Sequence, residues 1–319
     1  MGLFFTLIAL VFFLGSSLGD LSVGFYSRTC PNAETIVASV VRDAVAAEQR
    51  MAAILLRLHF HDCFVQGCDG SILIDDPNAE KHAFGHQGVQ GYAEIEKAKA
   101  QLEAICPGVV SCADIVAMAA RDSVALSNGP VYQVPTGRRD GRLSNVSFAD
   151  DMPDVSESVQ QLKAKFLQKG LSAKDLVLLN AAHTIGTTAC FFMTHRLYNF
   201  PNFGTDPTIN TAFLPELKAN CPQNGDVDVR LGMDHGSERT FDDMILRNIK
   251  NGFAVLESDS QLYTDPETKS VIDSYLGILN FLLGPSFAKD FADSMVKMGK
   301  IGVKTGPQGE IRRVCNAIN

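Results

Sequence analysis

Arginine and histidine stand four residues apart in the run Arg57-Leu58-His59-Phe60-His61-Asp62-Cys63-Phe64. That spacing puts a permanent cation and a titratable base on one face of a helix, where both can converge on one small molecule. The pair suits peroxide chemistry. A base must move a proton from one peroxide oxygen to the other, and a cation must meet the charge that develops as the O–O bond breaks. His59 is two positions from His61, about 200° around the helix axis, and is expected to pack in the core. Far downstream, His183 closes the apolar run Leu178-Leu179-Asn180-Ala181-Ala182-His183-Thr184-Ile185-Gly186. From there it could hold a metal from the opposite side of a site.

The elements that must position these residues are mostly helices. Apolar residues recur at three-to-four spacing over Asn32–Gln49, Met51–Phe60, Tyr92–Ile105, Ser111–Leu126, Ser156–Gln168 and Ala173–Ala182, which predicts a mainly α chain. Further helices are expected over Thr187–Tyr198, Thr211–Asn220, Phe241–Lys250, Ser270–Leu283 and Phe287–Gly299, with short strands at Val131–Val134 and in the C-terminal stretch. Ser156 before Glu157, and Ser172 three before Asp175, mark helix starts, and Gly170 closes the helix between them. Loops rich in Gly, Pro and Asp separate the helices, and no repeat or interdomain linker is visible.

With 319 residues, 46% hydrophobic and a formal charge of −8, the chain suffices for one large domain or two lobes. Leu3–Leu14 is apolar but too short to span a bilayer and is followed by Gly15-Ser16-Ser17-Leu18-Gly19. Residues 1–19 read as a signal peptide and 20–319 as the mature domain. No later segment is long and apolar enough for a membrane span, and no Lys-Asp-Glu-Leu-type signal follows Cys315, so export is expected. The acidic balance, without a Lys/Arg cluster, argues against nucleic acid and against tight binding to polyanions. Eight cysteines behind an export signal predict four disulfides, although spacing alone leaves 105 pairings. Zinc ligation is a weak rival because only Cys63 and Cys68 approach knuckle spacing.

Five stretches appear in one order: Arg57–Phe64, Gly67-Cys68-Asp69, Val110-Ser111-Cys112-Ala113-Asp114, Gly137-Arg138-Arg139-Asp140 and Ala182-His183-Thr184-Ile185-Gly186. Together with the cysteines they resemble the secretory plant haem peroxidases, class III of the plant peroxidase superfamily, over essentially the whole chain after residue 19. The resemblance implies a two-lobed, mainly α haem-peroxidase fold with minor strands and haem b between the lobes. Arg57 and His61 would be catalytic above the haem, and His183 would be its axial ligand, braced by Asp259 in Leu256-Glu257-Ser258-Asp259-Ser260. The implied disulfides are Cys30–Cys106, Cys63–Cys68, Cys112–Cys315 and Cys190–Cys221.

The resemblance also implies two calcium ions. One would take Asp62, the carbonyls of Val65 and Gly67, Asp69 and Ser71, with Glu80 behind them; oxygen donors in a compact loop suit a hard cation. The other would take Thr184, Asp234, Ser237, the carbonyl of Thr240 and Asp242, with Ser237 where the family often has Thr. Pro153, Phe84 and Phe192 match the walls of the aromatic-donor site. Asp114 and Arg138 match a structural ion pair, and Asn145-Val146-Ser147 is a glycosylation sequon. Three departures stand out: His86 where the family commonly has the Asn that orients the distal base, Met233 beneath the axial ligand, and Tyr132 where many members carry Trp.

The leading expectation is therefore an exported, monomeric haem peroxidase of the cell wall, the vacuole being the weaker alternative. It would reduce hydrogen peroxide and oxidise phenolic donors, lignin precursors among them, in one-electron steps. The rival from another class is a calcium-binding or adhesive wall protein that kept the fold and lost turnover through His86 or Met233. A metal hydrolase built on His59 and His61 lacks a third ligand and a glutamate base at zinc-protease spacing.

Overall fold

The computed structural model describes residues 21–277 and 284–319. The expected signal peptide lies outside the described residues, as does the end of the helix expected over Ser270–Leu283. The chain is mainly helical, as its periodicity predicts. The first four helices are α1 (Ala33–Ala47), α2 (Met51–Phe64), α3 (Tyr92–Ile105) and α4 (Cys112–Leu126). α4 is rich in small and apolar residues, and it is buried along most of its length with α1, α2 and α3 packed around it. Ser111 starts it by accepting the Asp114 backbone N–H at 3.1 Å.

The second half is built from α5 (Val159–Gln168), α6 (Ala173–Asn180), α7 (Thr194–Tyr198), α8 (Leu214–Asn220), α9 (Met244–Asn251), α10 (Glu257–Gln261), α11 (Pro266–Leu276) and a last described helix, Phe287–Met298. α6 packs against α5, α11 and that last helix. Two large cores and a smaller third cluster around Met193, Leu197 and Leu217 result, and α2 contributes to both large ones. Its Leu55 and Leu58 belong to the core of α1, α3 and α4, whereas Ala52, Leu56 and Phe64 belong to the core around α5 and α6. Burying a leucine this way contributes about 1.5–3 kcal/mol, so α2 is fixed from two sides.

Four disulfides join Cys30–Cys106, Cys63–Cys68, Cys112–Cys315 and Cys190–Cys221, the same four pairs implied by the resemblance. Asp114 and Arg138 form a buried ion pair at 2.7 Å. Tyr132 is partly buried against the larger core.

Several expected elements differ. Thr187–Tyr198 is not one helix: β1 (Thr187–Ala189) pairs antiparallel with β2 (Arg230–Gly232), a 3-10 turn follows at Cys190–Phe192, and only Thr194–Tyr198 is α-helical. β-branched Thr187 and Thr188 favour the ladder, and Gly186 turns the chain out of the preceding helix at φ 99°. Val131–Val134 forms no strand, and the C-terminal stretch makes isolated bridges, Arg139 with Lys304 and Asp140 with Glu310. α5 starts after Ser158 rather than at Ser156, because Gln161 at its third position reaches back to the Ser158 N–H at 3.0 Å. Ser172 and Asp175 form the expected box on α6.

Candidate active site

A cavity of ≈ 530 Å³ is lined by Arg57, Phe60 and His61 of α2 and by Leu179, Ala182 and His183 at the end of α6 and the turn after it. Arg57 and His61 meet as the helical spacing requires: Arg57 Nε donates to His61 Nε2 at 3.0 Å. A second Arg57 nitrogen donates to the Gln87 carbonyl at 3.1 Å, which holds the guanidinium across the chamber. Burial, then Arg57 and His86, push the His61 pKa well below that of an ordinary histidine, so its ring is neutral at neutral pH.

The protonated nitrogen of His61 follows from its partners. Arginine can only donate, so His61 Nε2 carries the lone pair and Nδ1 carries the hydrogen. That Nδ1 lies 2.8 Å from His86 Nδ1, which must therefore accept. His86 is left with its own hydrogen on Nε2, a buried atom with no partner among the described residues. Burial, then Arg57, lower the His86 pKa to about 4. His59 faces away as expected: it is buried beside the Cys63 sulfur, at 3.6 Å from Nδ1, and burial and Arg138 lower it to about 3. His59, Cys63 and Cys68 do cluster, but both sulfurs are spent in the disulfide and offer no thiolate to a metal.

His183 sits on a single 3-10 turn, Ala181–Thr184, at the end of α6. Its Nδ1 lies 2.9 and 3.0 Å from the two oxygens of Asp259. Asp259 is fully buried on α10, a helix the sequence reading did not place. The carboxylate therefore fixes the Nδ1–H tautomer and leaves the Nε2 lone pair for a ligand. Phe84, Pro153 and Phe192 also line the cavity, and the Phe84 ring is 72% exposed at its rim.

The Peroxidase family model matches residues 37–277. Peroxidase 43 of Arabidopsis thaliana is 65% identical over 309 residues, covering 96% of this chain and 95% of that protein. Peroxidase N1 of Nicotiana tabacum is 52% identical over 321 residues, 100% of this chain and 97% of the relative. The chain belongs to the class III plant peroxidases. Peroxidase 13 of Arabidopsis thaliana, 56% identical over 312 residues, covers 96% of the chain in the same way. Membership implies a peroxidase activity, haem, hydrogen peroxide and an oxidisable donor, and it disfavours the reading as a non-enzymatic adhesive protein.

The residues present fit a haem. A histidine with one nitrogen braced by a buried carboxylate points its other nitrogen's lone pair at a cavity whose volume lies within the usual range for a bound cofactor. Leu162, Phe166, Met295 and Met298 add apolar wall, and Arg50 and Arg230 stand in the same lining, cations that would suit the haem carboxylates. The sequence reading missed both arginines, and no local signal marks them: Arg230 reaches the cavity only through the β1–β2 pairing. Met233 is part of the lining and is tied by its N–H to the Gly186 carbonyl at 3.1 Å.

The Cys63–Cys68 disulfide staples the first expected oxygen cluster. Asp62, Asp69, Ser71 and Glu80 are all buried in it. Asp62 Oδ1 and Glu80 Oε2 have no hydrogen-bond partner among the described residues, the mark of acids arranged for a cation. Burial, then neighbouring carboxylates, raise Asp62 well above the usual carboxylate range and Glu80 to about 9. Val65 and Gly67 lie within the same loop. In the second set, Thr184 Oγ1 lies 2.9 Å from Asp234, 3.3 Å from the Thr240 carbonyl and 3.5 Å from Asp242. Ser237 reaches Asp242 at 2.5 Å, so all five expected residues converge. Burial raises Asp234 to about 7.

Proposed function

We propose that this chain is an exported peroxidase in which Arg57 and His61 act on hydrogen peroxide and small phenolic donors are oxidised at the edge formed by Phe84, Pro153 and Phe192. Cell-wall phenolics and lignin precursors are the donor class. One peroxide and two phenols give two waters and two phenoxyl radicals. The observation that carries the reading is that the Arg57–His61 pair and the Asp259-braced His183 line one cavity.

His183 Nε2 would hold haem b, which would supply the redox chemistry of peroxide reduction and one-electron donor oxidation. The protein's share is proton handling and charge. The Arg57 Nε–H occupies the lone pair that a peroxide proton needs, so it must leave His61 before that proton can be taken. His61 then passes the proton to the outer oxygen, which departs as water, while cationic Arg57 stabilises the charge on it. His86 keeps the other ring nitrogen protonated, so a single basic position faces the substrate. Asp259 holds the His183 Nδ1–H and makes that ring a stronger donor.

The same reading takes residues 1–19 as a removed signal peptide, places the mature monomer in the cell wall and assigns a calcium ion to each oxygen cluster. Among the described residues no helix is long and apolar enough to cross a membrane. Asn145 Oδ1 accepts from the Ser147 N–H and hydroxyl at 3.0 and 2.9 Å, which leaves its amide nitrogen open for a glycan. The test is an optical spectrum of purified, haem-loaded protein before and after one equivalent of peroxide. We expect a shift that two equivalents of a phenol reverse. A spectrum indifferent to peroxide would overturn the reading in favour of the calcium-binding or adhesive alternative.

A further inference from the structure

We propose that Lys304 is a built-in counter-ion of the Asp62–Ser71 loop, lowering the loop's affinity for calcium and holding the loop together when calcium is absent. The inference rests on the calcium reading of that loop.

Three buried carboxylates, those of Asp62, Asp69 and Glu80, are gathered there with at most 1% exposure each. Hydrogen bonds satisfy them only in part. Asp62 Oδ2 accepts the Gly70 N–H at 3.1 Å, Glu80 Oε1 accepts the Ser71 hydroxyl at 3.2 Å, and Asp69 Oδ1 accepts the Ser71 N–H at 3.0 Å. Asp62 Oδ1 and Glu80 Oε2 are left without partners. The remaining oxygen, Asp69 Oδ2, is met by the ammonium of Lys304. Among the described residues this is the one ion pair made by any of the three acids.

The backbone delivers Lys304 to this place. Its carbonyl accepts the Arg139 N–H at 2.8 Å, and three residues earlier the Ile301 carbonyl accepts the Cys68 N–H at 2.9 Å. Between them Gly302 touches Gly67 so closely that a Cβ on Gly67 would lie 2.6 Å from the Gly302 Cα. Gly141, opposite, has no side chain to strike Asp69 Oδ2. The C-terminal segment thus lies directly on the loop, with the Lys304 side chain 31% exposed and its ammonium reaching Asp69 from the solvent side.

An ammonium held against a calcium ligand acts in two directions. Its charge opposes that of an arriving divalent ion, and it partly neutralises acids that would otherwise repel one another in a low dielectric. Removing it should tighten calcium binding, by about tenfold for a partly exposed cation that can swing aside. It should also weaken the calcium-free protein.

The experiment is calorimetric titration of calcium into the calcium-depleted, haem-loaded enzyme as wild type, Lys304→Met and Lys304→Arg, with melting curves in chelator and in saturating calcium. We expect one of two calcium constants to tighten about tenfold in Lys304→Met and neither to move in Lys304→Arg. In chelator the Met variant should melt below wild type, and saturating calcium should close that gap. Lys304→Gln serves in place of Met should the latter fail to fold. A wild type that binds two ions whose constants Lys304→Met leaves unchanged or weakens overturns this inference alone. A wild type that binds no calcium sinks the loop reading beneath it.

Discussion

His61 and His86 share a hydrogen: their Nδ1 atoms lie 2.8 Å apart, and the Arg57 donor on His61 Nε2 assigns that hydrogen to His61. Neutral His86 can accept it and protonated His86 cannot. With its pKa lowered to about 4, His86 should stay neutral through the range where an ordinary histidine titrates. The rate of reaction with peroxide should therefore hold into mildly acid pH. It should then fall toward pH 4 more steeply than a single group allows, because His61 loses its partner and gains a neighbouring charge. His86→Asn keeps an acceptor that does not titrate, so its acid limb should be shallower at a similar neutral-pH rate. Stopped-flow profiles that superimpose would show that His86 does not orient His61.

The buried histidines also tie stability to pH. His59 and His86 have folded-state pKa values of about 3 and 4, below the ordinary histidine value. The unfolded chain therefore binds protons the folded chain refuses, and stability falls as pH drops below the unfolded value until each folded value is reached. Each residue contributes a slope of up to about 1.4 kcal/mol per pH unit. Denaturant midpoints in saturating calcium should fall between neutral and mildly acid pH. His59→Phe should flatten that slope, and an unchanged slope would show that His59 is not held neutral.

Removing the axial group should separate binding from proton chemistry. His183→Ala should lose haem retention, read as Soret absorbance per protein after reconstitution. Asp259→Asn leaves the ligand nitrogen but removes the anion behind it, and should weaken retention about 10–100-fold. His61→Leu should keep the haem and slow the peroxide step about 10²–10⁴-fold. Normal haem content and peroxide rate in His183→Ala would sink the assignment.

Prolonged chelation should slow the peroxide step, because Asp62 directly follows His61 and Thr184 directly follows His183. Loosening either oxygen cluster shifts the helix end that carries His61 or the turn that carries His183. Metal analysis must show both sites emptied, and a rate and spectrum unchanged at that point would break the link.

The Asp114–Arg138 pair is a stability element. Its members are 0% and 1% exposed, and Arg138 also donates to the Gly299 carbonyl at 2.9 Å. Asp114→Ala strands a buried guanidinium and should cost about 3–5 kcal/mol in denaturant unfolding. A cost of a few tenths of a kcal/mol would show that water reaches the pair.

What the sequence alone determined is what depends on near neighbours. Arg57 and His61 meet because four residues make about one helical turn, His59 turns inward for the same reason, and Ser172 caps α6 through a residue three positions on. The resemblance spans the chain and named His183 with Asp259 and both oxygen clusters, and the structure brings the members of each group together. Local patterning failed where partners are distant. Thr187–Ala189 carries helix-compatible spacing yet became a strand, since its ladder partner lies some forty residues later at Arg230–Gly232. Asp259 rides a helix of five residues, too short to show a period. Only the tertiary structure placed Arg230 on the cavity and brought Lys304 onto Asp69 across 235 residues, and it gave the His61–His86 contact implied by the resemblance its bonding distance. Those meetings are set by how two cores pack around α2 and by where the C-terminal segment is pinned, and no short window of sequence contains both sides of such a contact.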